Sequence, residues 1–234
     1  NAEIDNAILE QERFMDTITR GIKKNSYDSY TYKIRHFIQE QEDLARVFAG
    51  RDRDRLYRLS LEEYRYLHGE NPYFHAMDYN LPDGTVLLRV QRPEMYGDNI
   101  GTTRPIVMDV HRSREPRSGY EVGKHGAIFW VAEPVFFQEQ YVGAVEFGIE
   151  VKQLETALAE SLGCDVASVL RADRWNRAEL VKHGFQEYGN YVLMTHGTSL
   201  FDQIVGKVDF STLHDQQVDI RGKPYILHSC TLLE

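Results

Sequence analysis

The residues best suited to bind a charged small molecule begin on one predicted strand, Thr85 to Gln91. Arg89 lies among apolar neighbours there, and a charge in such a place must be paired because burying it alone is costly. A ligand carboxylate or an internal acid such as Glu133 or Glu146 would serve, and the sequence leaves both open. Two-residue alternation predicts that three apolar residues lie on the face opposite Arg89: Val86, Leu88 and Val90.

The loop after this strand holds further polar groups. Arg92 and Tyr96 are candidate ligand contacts, because a loop rich in arginine and tyrosine suits recognition of a polar anion. Asp98 and Arg104 could instead pair with each other and simply hold the loop in place. We favour that structural role for those two residues.

A later strand carries rings that could cover an apolar ligand surface or stack on a cation. Phe129, Trp130 and Glu133 are the candidates, and we expect all three to face one ligand-binding cavity. Core packing is, however, a common explanation for such aromatics. His75 is a further candidate contact, although a single histidine usually has a structural role. The other histidines show no metal-ligand spacing, so we expect no metal site and no cofactor.

Composition sets aside two classes of function. A formal net charge of -9 argues against nucleic-acid binding, which depends on clustered lysine and arginine. The sequence shows no nucleophile with a base and no metal motif. The glycine-rich segment Gly119 to Gly126 lacks the Ser or Thr that follows the lysine of a phosphate-binding loop. We therefore expect a chain that is not an enzyme.

The two cysteines, Cys164 and Cys230, stand in segments that indicate buried strands. We interpret them as two small buried hydrophobic residues. A disulfide between them stays open, because sequence does not give the distance between their Cα atoms.

Helical periodicity opens the chain. Apolar residues from Ile4 to Phe48 recur at helical spacing, which predicts one very long helix or two helices broken near Gly21 to Ser29. Its single apolar stripe suggests packing against the same helix of a second subunit. A capping-box pattern predicts a second helix from Ser60 to His68. Two further helices are predicted: Thr102 to Arg114, with Pro105 in its first turn, and Lys152 to Ser161.

Period-two segments make up most of the rest. Before residue 163 they predict four strands besides Thr85 to Gln91: Phe74 to Tyr79, Gly119 to Val122, Ala127 to Phe137 and Tyr141 to Glu150. After residue 163 the pattern restarts on a smaller scale with five elements: strand Asp165 to Leu170, strand Tyr191 to Thr195, helix Ser199 to Val205, and strands Gln217 to Ile220 and Pro224 to Leu233.

These elements predict an α+β protein in which a long N-terminal helix precedes two antiparallel-sheet units, the second smaller. We place the long helix in residues 1–50, the first unit in residues 51–160 and the second in residues 161–234.

Two segments resemble the double Cache (PAS-like) sensors of bacterial histidine kinases, chemoreceptors and diguanylate cyclases. In YFHAMDYNLPDGTVLLRVQRPEMYGDNIGTTRPIVMDV, a histidine-bearing strand, a PDG hairpin, an LR strand and an RPExxGD loop follow in series. FWVAEPVFFQEQYVGAVEFGIEVKQL resembles the closing hairpin and linking helix of these families. The resemblance covers roughly residues 55–160.

The resemblance implies the extracytoplasmic, periplasmic sensor region of a transmembrane receptor, homodimeric through its N-terminal helix. The first, membrane-distal unit would bind a small molecule, and a carboxylate is our expectation because of Arg89 and Arg92. Binding would shift the long helices and so signal to a cytoplasmic output domain. The alternative is a ligand-free dimerisation module or a docking site for a periplasmic protein.

No apolar run approaches the ~20 residues that span a bilayer, and no signal peptide opens the chain. A receptor ectodomain taken from between two membrane spans would have these features, which is how we interpret them.

Overall fold

The computed structural model describes residues 2–41, 43–123, 126–174, 185, 187–194, 199–205, 207–208, 210 and 216–229. The chain divides into two compact units. Unit 1 comprises residues 1–24, 124–126 and 154–234, and unit 2 comprises residues 25–123 and 127–153. Helices and antiparallel sheets alternate along the chain, which confirms the α+β prediction.

Three helices precede the first strand. Helix α1 (Ala2–Glu40) is unbroken, so the alternative with a break near residues 21–29 is wrong. It contributes residues to both units. Helix α2 (Leu44–Ala49) and helix α3 (Arg53–Glu70) belong to unit 2.

Helix α3 begins seven positions before the predicted start at Ser60. The carboxylate of Asp52 accepts a hydrogen bond from the Arg55 backbone N–H and so caps the helix. Ser60 instead donates to the Leu56 carbonyl, one turn back, and its hydroxyl contacts that of Tyr79. The capping-box pattern was therefore misleading, because Ser60 lies in the helix interior and is buried.

Unit 2 is built on one antiparallel sheet of five strands, in the order β2-β1-β5-β4-β3. The strands are β1 (Phe74–Asn80), β2 (Val86–Arg89), β3 (Arg117–Gly123), β4 (Gly126–Phe137) and β5 (Gln140–Glu150). Helix α4 (Pro105–Ser113) lies between β2 and β3, with Pro105 in its first turn as predicted. Helix α5 (Val151–Leu162) follows β5 and leads into unit 1.

The two faces of this sheet have different covers. We call the side packed against α1, α2 and α3 the back face. The apolar core on the back face includes Ile34, Phe37, Leu44, Phe48, Leu56, Phe74, Met77, Tyr79, Phe129, Val131, Val145 and Phe147. We call the other side, covered by α4 and the loop of residues 90–104, the front face. Its apolar residues form two small clusters: Val86, Ile100, Val107, Val110, Ala132 and Ala144, and Ala76, Ile128 and Trp130.

A β-bulge alters the predicted alternation along β2. Asn80 pairs with Val86 and Tyr79 pairs with Leu88, so Leu87 is the extra residue on β2. As a result, Val86 packs on the front face, where Arg89 also lies. The expectation that Val86 lies opposite Arg89 is therefore wrong.

Unit 1 contains short strands. Strands β6 (Val169–Arg171), β7 (Glu187–Tyr188) and β8 (Tyr191–Leu193) form a sheet in the order β6-β8-β7. Helix α6 (Ser199–Val205) agrees with the prediction, and β9 (Gln216–Ile220) pairs with β10 (Lys223–Leu227). The side chains that form its core are Leu193, Phe201, Ile204, Val205, Val218 and Ile220.

Two predictions in this unit need correction. Strand β6 begins later than predicted, and the Ser168 backbone N–H donates to the Glu155 carboxylate rather than to a neighbouring strand. Cys164 is exposed just after α5, so it is not a buried strand residue. Cys230 lies outside the described residues, and the disulfide stays open.

In the part of the chain that the structure describes, no helix is long and apolar enough to cross a membrane.

Gly143 tests how tightly β5 packs against β1 and α2. Its φ is +150°, and a Cβ there would lie 2.3 Å from the Asn80 carbonyl oxygen and 2.5 Å from the Phe48 ring. We expect Gly143→Ala to lower the free energy of unfolding by about 2 kcal/mol, because the added methyl group has no space. Urea denaturation followed by circular dichroism measures this change.

Gly69→Ala is the matched control. Gly69 lies inside α3 with open space around it, so alanine should leave stability unchanged or raise it by up to ~1 kcal/mol. Equal losses in the two variants would contradict the packing of β5.

Candidate functional site

The front face carries a row of side chains across four neighbouring strands. In the strand register, Asp78 of β1 lies opposite Arg89 of β2 on one side and opposite Glu146 of β5 on the other. Ala132 of β4 continues the row beyond Glu146. Opposed residues on antiparallel strands have Cβ atoms about 4.5–5.5 Å apart, so the two carboxyl groups lie side by side. Both acids are buried.

Arg104, at the start of α4, provides the positive charge for these acids. Its guanidinium donates to Glu146 at 2.9 Å and also to Glu121 of β3. The guanidinium carbon lies 3.6 Å from the centre of the Trp130 ring, a cation–π contact. Trp130 in turn covers Gly148 of β5, where a Cβ would lie 2.7 Å from the ring.

Glu121 fixes the position of α4 as well as that of Arg104. Its second carboxylate oxygen accepts a hydrogen bond of 2.7 Å from the Ile106 backbone N–H, in the first turn of the helix. A carboxylate at this end of a helix interacts favourably with the helix dipole. The helix that covers the front face is therefore attached to Glu121, one of the two acids that hold Arg104.

Two amides complete the cluster. Gln91 donates to Asp78 at 2.8 Å and accepts from the Met77 backbone N–H at 3.1 Å. The Asn80 amide nitrogen donates to Glu146 at 2.6 Å. The Asn80 amide oxygen is buried and has no hydrogen-bond partner among the described residues. Such an acceptor is costly, so it marks a place where a donor is missing.

Burial controls the electrostatics of this cluster. Loss of solvent raises the pKa of Glu146 to about 8; Arg104 opposes this rise, whereas Asp78 and Glu121 add to it. Burial likewise raises the pKa of Asp78, and the hydrogen bond from Gln91 opposes the rise. The site is thus an acid-rich cluster in which the carboxyl groups of Asp78 and Glu146 keep protons more readily than they would in water.

A model of one protein family matches residues 11–233, almost the whole chain, under the description "Double sensory domain of two-component sensor kinase". The chain belongs to this family. The match confirms the resemblance to double Cache sensors that the strand and loop motifs indicated. The chain is therefore a sensor domain. No curated protein matches its sequence significantly.

Solved sensor domains share the fold of this double sensory domain. The sensory domain of the Campylobacter jejuni chemoreceptor Tlp3 with isoleucine bound aligns with a TM-score of 0.56 at 9% identity, over 95% of this chain and 87% of that one. Tlp3 in complex with L-norvaline also gives 0.56 at 9% identity, over 96% and 86%.

The V. cholerae histidine kinase DctB sensor domain gives a TM-score of 0.53 at 11% identity, over 65% of this chain. The chain spans only 60% of that DctB domain. At these identities the likeness to Tlp3 and DctB shows the fold alone.

Arg89 lies on the front face of this double sensory domain, where it forms an ion pair with an internal acid, Asp98. Its guanidinium donates to both carboxylate oxygens of Asp98, at 2.7 and 2.8 Å, and to the Met95 carbonyl. The internal partner is thus neither Glu133 nor Glu146. The expected pair of Asp98 with Arg104 is wrong, because Asp98 holds the loop through Arg89.

The other two loop candidates differ in their surroundings. Tyr96 is exposed, and its ring lies 3.4 Å from the guanidinium carbon of Arg53 in α3. Arg53 also donates to the Leu87 and Pro93 carbonyls and so ties this loop to α3. Arg92 is half-buried in the same loop. Ligand contact by either residue stays a prediction.

The three candidates on β4 do not share a face. Trp130 lies on the front face beside Arg104, whereas Phe129 stacks on Tyr27 of α1 on the back face, with ring centres 3.6 Å apart. Glu133 accepts a hydrogen bond of 2.6 Å from Arg35 of α1. The expectation that all three face one cavity is wrong, because adjacent strand residues point to opposite faces.

His75, predicted from the sequence as a contact, lies apart from the cluster, whereas several residues of the cluster were not predicted. His75 Nδ1 lies 3.1 Å from a Glu150 carboxylate oxygen, outside the Arg104 cluster. Asp78, Glu121 and Asn80 were not singled out as candidates. Asp78 and Asn80 do alternate on β1 two positions apart, next to the PDG hairpin, and that polar alternation in a buried strand was the available signal.

Unit 1 has an open cavity of about 410 Å³. Tyr188, Tyr191, Val205 and Phe210 contribute to its lining, together with other uncharged residues. Among the residues that the structure describes, the lining of this cavity includes no charged side chain, unlike the front face. For that reason we treat the front face of unit 2 as the candidate site.

The cluster predicts an unequal response to loss of two arginines near α4. Arg104→Met removes the cation from buried Glu146 and Glu121, so we expect the free energy of unfolding at pH 7.5 to fall by about 3–5 kcal/mol. Arg112→Met, the matched control, breaks an exposed pair with Asp109 and should leave the free energy of unfolding nearly unchanged, because exposed ion pairs contribute little. Similar losses in urea denaturation of the two variants would refute the cluster's role.

Proposed function

We propose that this chain is the extracytoplasmic sensor region of a bacterial transmembrane receptor and binds a small molecule on the front face of unit 2. The observation that carries the proposal is the buried cluster of Arg104, Trp130 and Glu146 beneath α4. Convergent polar groups beside an aromatic ring are typical of small-molecule sites. The Tlp3 structures with isoleucine and L-norvaline bound support a ligand of similar size, since Tlp3 shares the fold.

The cluster also suggests how binding would be transmitted. A ligand that contacts Glu121 or Arg104 competes with the bonds that hold the start of α4. On β4, Trp130 faces this site while its neighbour Phe129 stacks on Tyr27 of α1. A small displacement of β4 would therefore reach α1 directly. The ligand would shift the population between two helix arrangements by its difference in affinity for them.

In the whole receptor we propose that unit 2 is membrane-distal and unit 1 membrane-proximal. Membrane spans outside this chain would carry the shift of α1 to a cytoplasmic output domain. The periplasmic location of the chain belongs to the same proposal.

Homodimerisation through α1 is a second proposal, and a specific observation favours it. Among the side chains of α1 that the structure describes, three large apolar ones are exposed: Leu9, Phe14 and Tyr32. A second copy of α1 would cover them. This surface is also what the alternative function, a ligand-free dimerisation or protein-docking module, would use.

Adjacent residues on opposite faces of β4 test the location of the ligand site. We would screen organic acids, amino acids, amines and small aromatics by thermal shift, because a ligand at 100 times its Kd stabilises the native state by ~2.7 kcal/mol. For each hit, we expect Trp130→Phe to weaken binding at least about tenfold, a loss of ~1.4 kcal/mol. Isothermal titration calorimetry measures both Kd values.

Phe129→Leu is the control, because it changes the back face only and should leave Kd within about twofold. Circular dichroism verifies that both variants are folded. Equal weakening by the two substitutions would refute the front-face site. A flat response across the whole library would favour the docking module instead.

A further inference from the structure

The front face holds more negative than positive groups. Asp78, Glu121 and Glu146 are three buried carboxyl groups, whereas Arg104 is the cation that bonds to two of them. Arg89 is close to Asp78, but both of its bonds to a carboxylate go to Asp98 in the loop. A further positive charge would therefore be favourable at this place, and a further negative charge would not.

The hydrogen bonds show the same imbalance. The Asn80 side chain is fully buried, and its amide nitrogen donates a hydrogen bond to Glu146. Its amide oxygen has no donor among the described residues. Beside it are the carboxylate oxygens of Glu146, which only accept when ionised. A group with several N–H donors and no acceptor fits this set, and an ammonium is such a group.

We propose that the ligand of the front face carries a cationic amino group, which Asp78, Glu146 and the free amide oxygen of Asn80 accept. This inference rests on the proposed function and specifies the chemical class of the ligand. It changes the expectation of a carboxylate as the recognised group, because a ligand carboxylate would add a fourth acid and would have to displace an existing partner of Arg104 or Arg89. An organic ammonium is favoured over a metal ion, since no group of metal-binding side chains is present among the described residues.

Binding of a cation here should release protons. Glu146 is faced by Arg104, Asp78 and Glu121, and Asp78 is also influenced by Arg89 and His75. With its pKa raised to about 8, Glu146 is mostly protonated at pH 6 in the absence of ligand. An ammonium favours the ionised carboxylate, so affinity should rise with pH up to about the pKa of Glu146 and level off above it.

Calorimetric titration with matched compounds tests the proposal. L-norvaline, butylamine and pentanoate have similar carbon chains. L-norvaline carries both an amino group and a carboxylate, butylamine carries only the amino group, and pentanoate carries only the carboxylate. L-valine, isobutylamine and 3-methylbutanoate form a second such set. We expect the amine-bearing compounds to bind and the two acids not to bind, with affinity at least about tenfold higher at pH 8 than at pH 6. Mg²⁺ and Ca²⁺, titrated alone, should not bind.

Glu146→Gln tests the acceptor itself. It keeps the shape of the side chain but removes the charge, so we expect amine affinity to fall at least tenfold and its dependence on pH to disappear. Asp78→Asn is a second variant that should weaken amine binding if Glu146→Gln does not fold. Glu62→Gln, on the exposed surface of α3, is the control and should bind as the unaltered chain does.

The outcomes separate this inference from the proposed function. Binding of the acids alone, weakened by Trp130→Phe, would overturn the amine inference and leave the small-molecule site standing. Amine binding that is unaffected by both Glu146→Gln and Asp78→Asn would overturn the assignment of the acceptors. Binding of none of the six compounds would overturn the amine inference together with its premise.

Discussion

The front face of unit 2 is organised around one buried guanidinium, that of Arg104. Arg104 bonds to acids on two strands of the sheet, β3 and β5, and stacks on a ring from a third, β4. Because it stands at the first turn of α4, these contacts also fix the cover of the front face. A cation shared among several buried acids is a poor source of stability compared with apolar packing, so its presence is better explained by recognition or switching. In the proposed function, the cluster would serve ligand binding, whereas the back-face core provides the stability of unit 2.

The alternation of β-strands gives the sheet two separate tasks. Trp130 contacts Arg104 on the front face, where we propose that the ligand binds, whereas its neighbour Phe129 packs on α1. The back face carries the large apolar core and keeps unit 2 folded. The front face can therefore hold charged groups, and in the proposed function their arrangement would change when a ligand binds. One rigid sheet, covered on both sides by helices, would connect binding with movement of α1.

Sequence predicted most elements of unit 2, because their signals are local. The PDG turn between β1 and β2, Pro105 in the first turn of α4 and the alternation of β4 and β5 are each set by neighbouring residues. The site depended instead on distant pairs, and Arg104 meets Glu146 across 42 positions. Nothing local distinguishes Glu146 from the other acids of the chain. The family resemblance could locate the sensor unit but not this pairing.

The claim that a small molecule binds beneath α4 is tested most directly by hydrogen exchange measured with mass spectrometry. The measurement compares the protein with and without a ligand found by the thermal-shift screen. The account predicts slower exchange with ligand in the loop of residues 90–104 and in α4, and unchanged exchange in α3. A ligand that stabilises the protein but leaves residues 90–113 unaffected, with protection found only in unit 1, would contradict it.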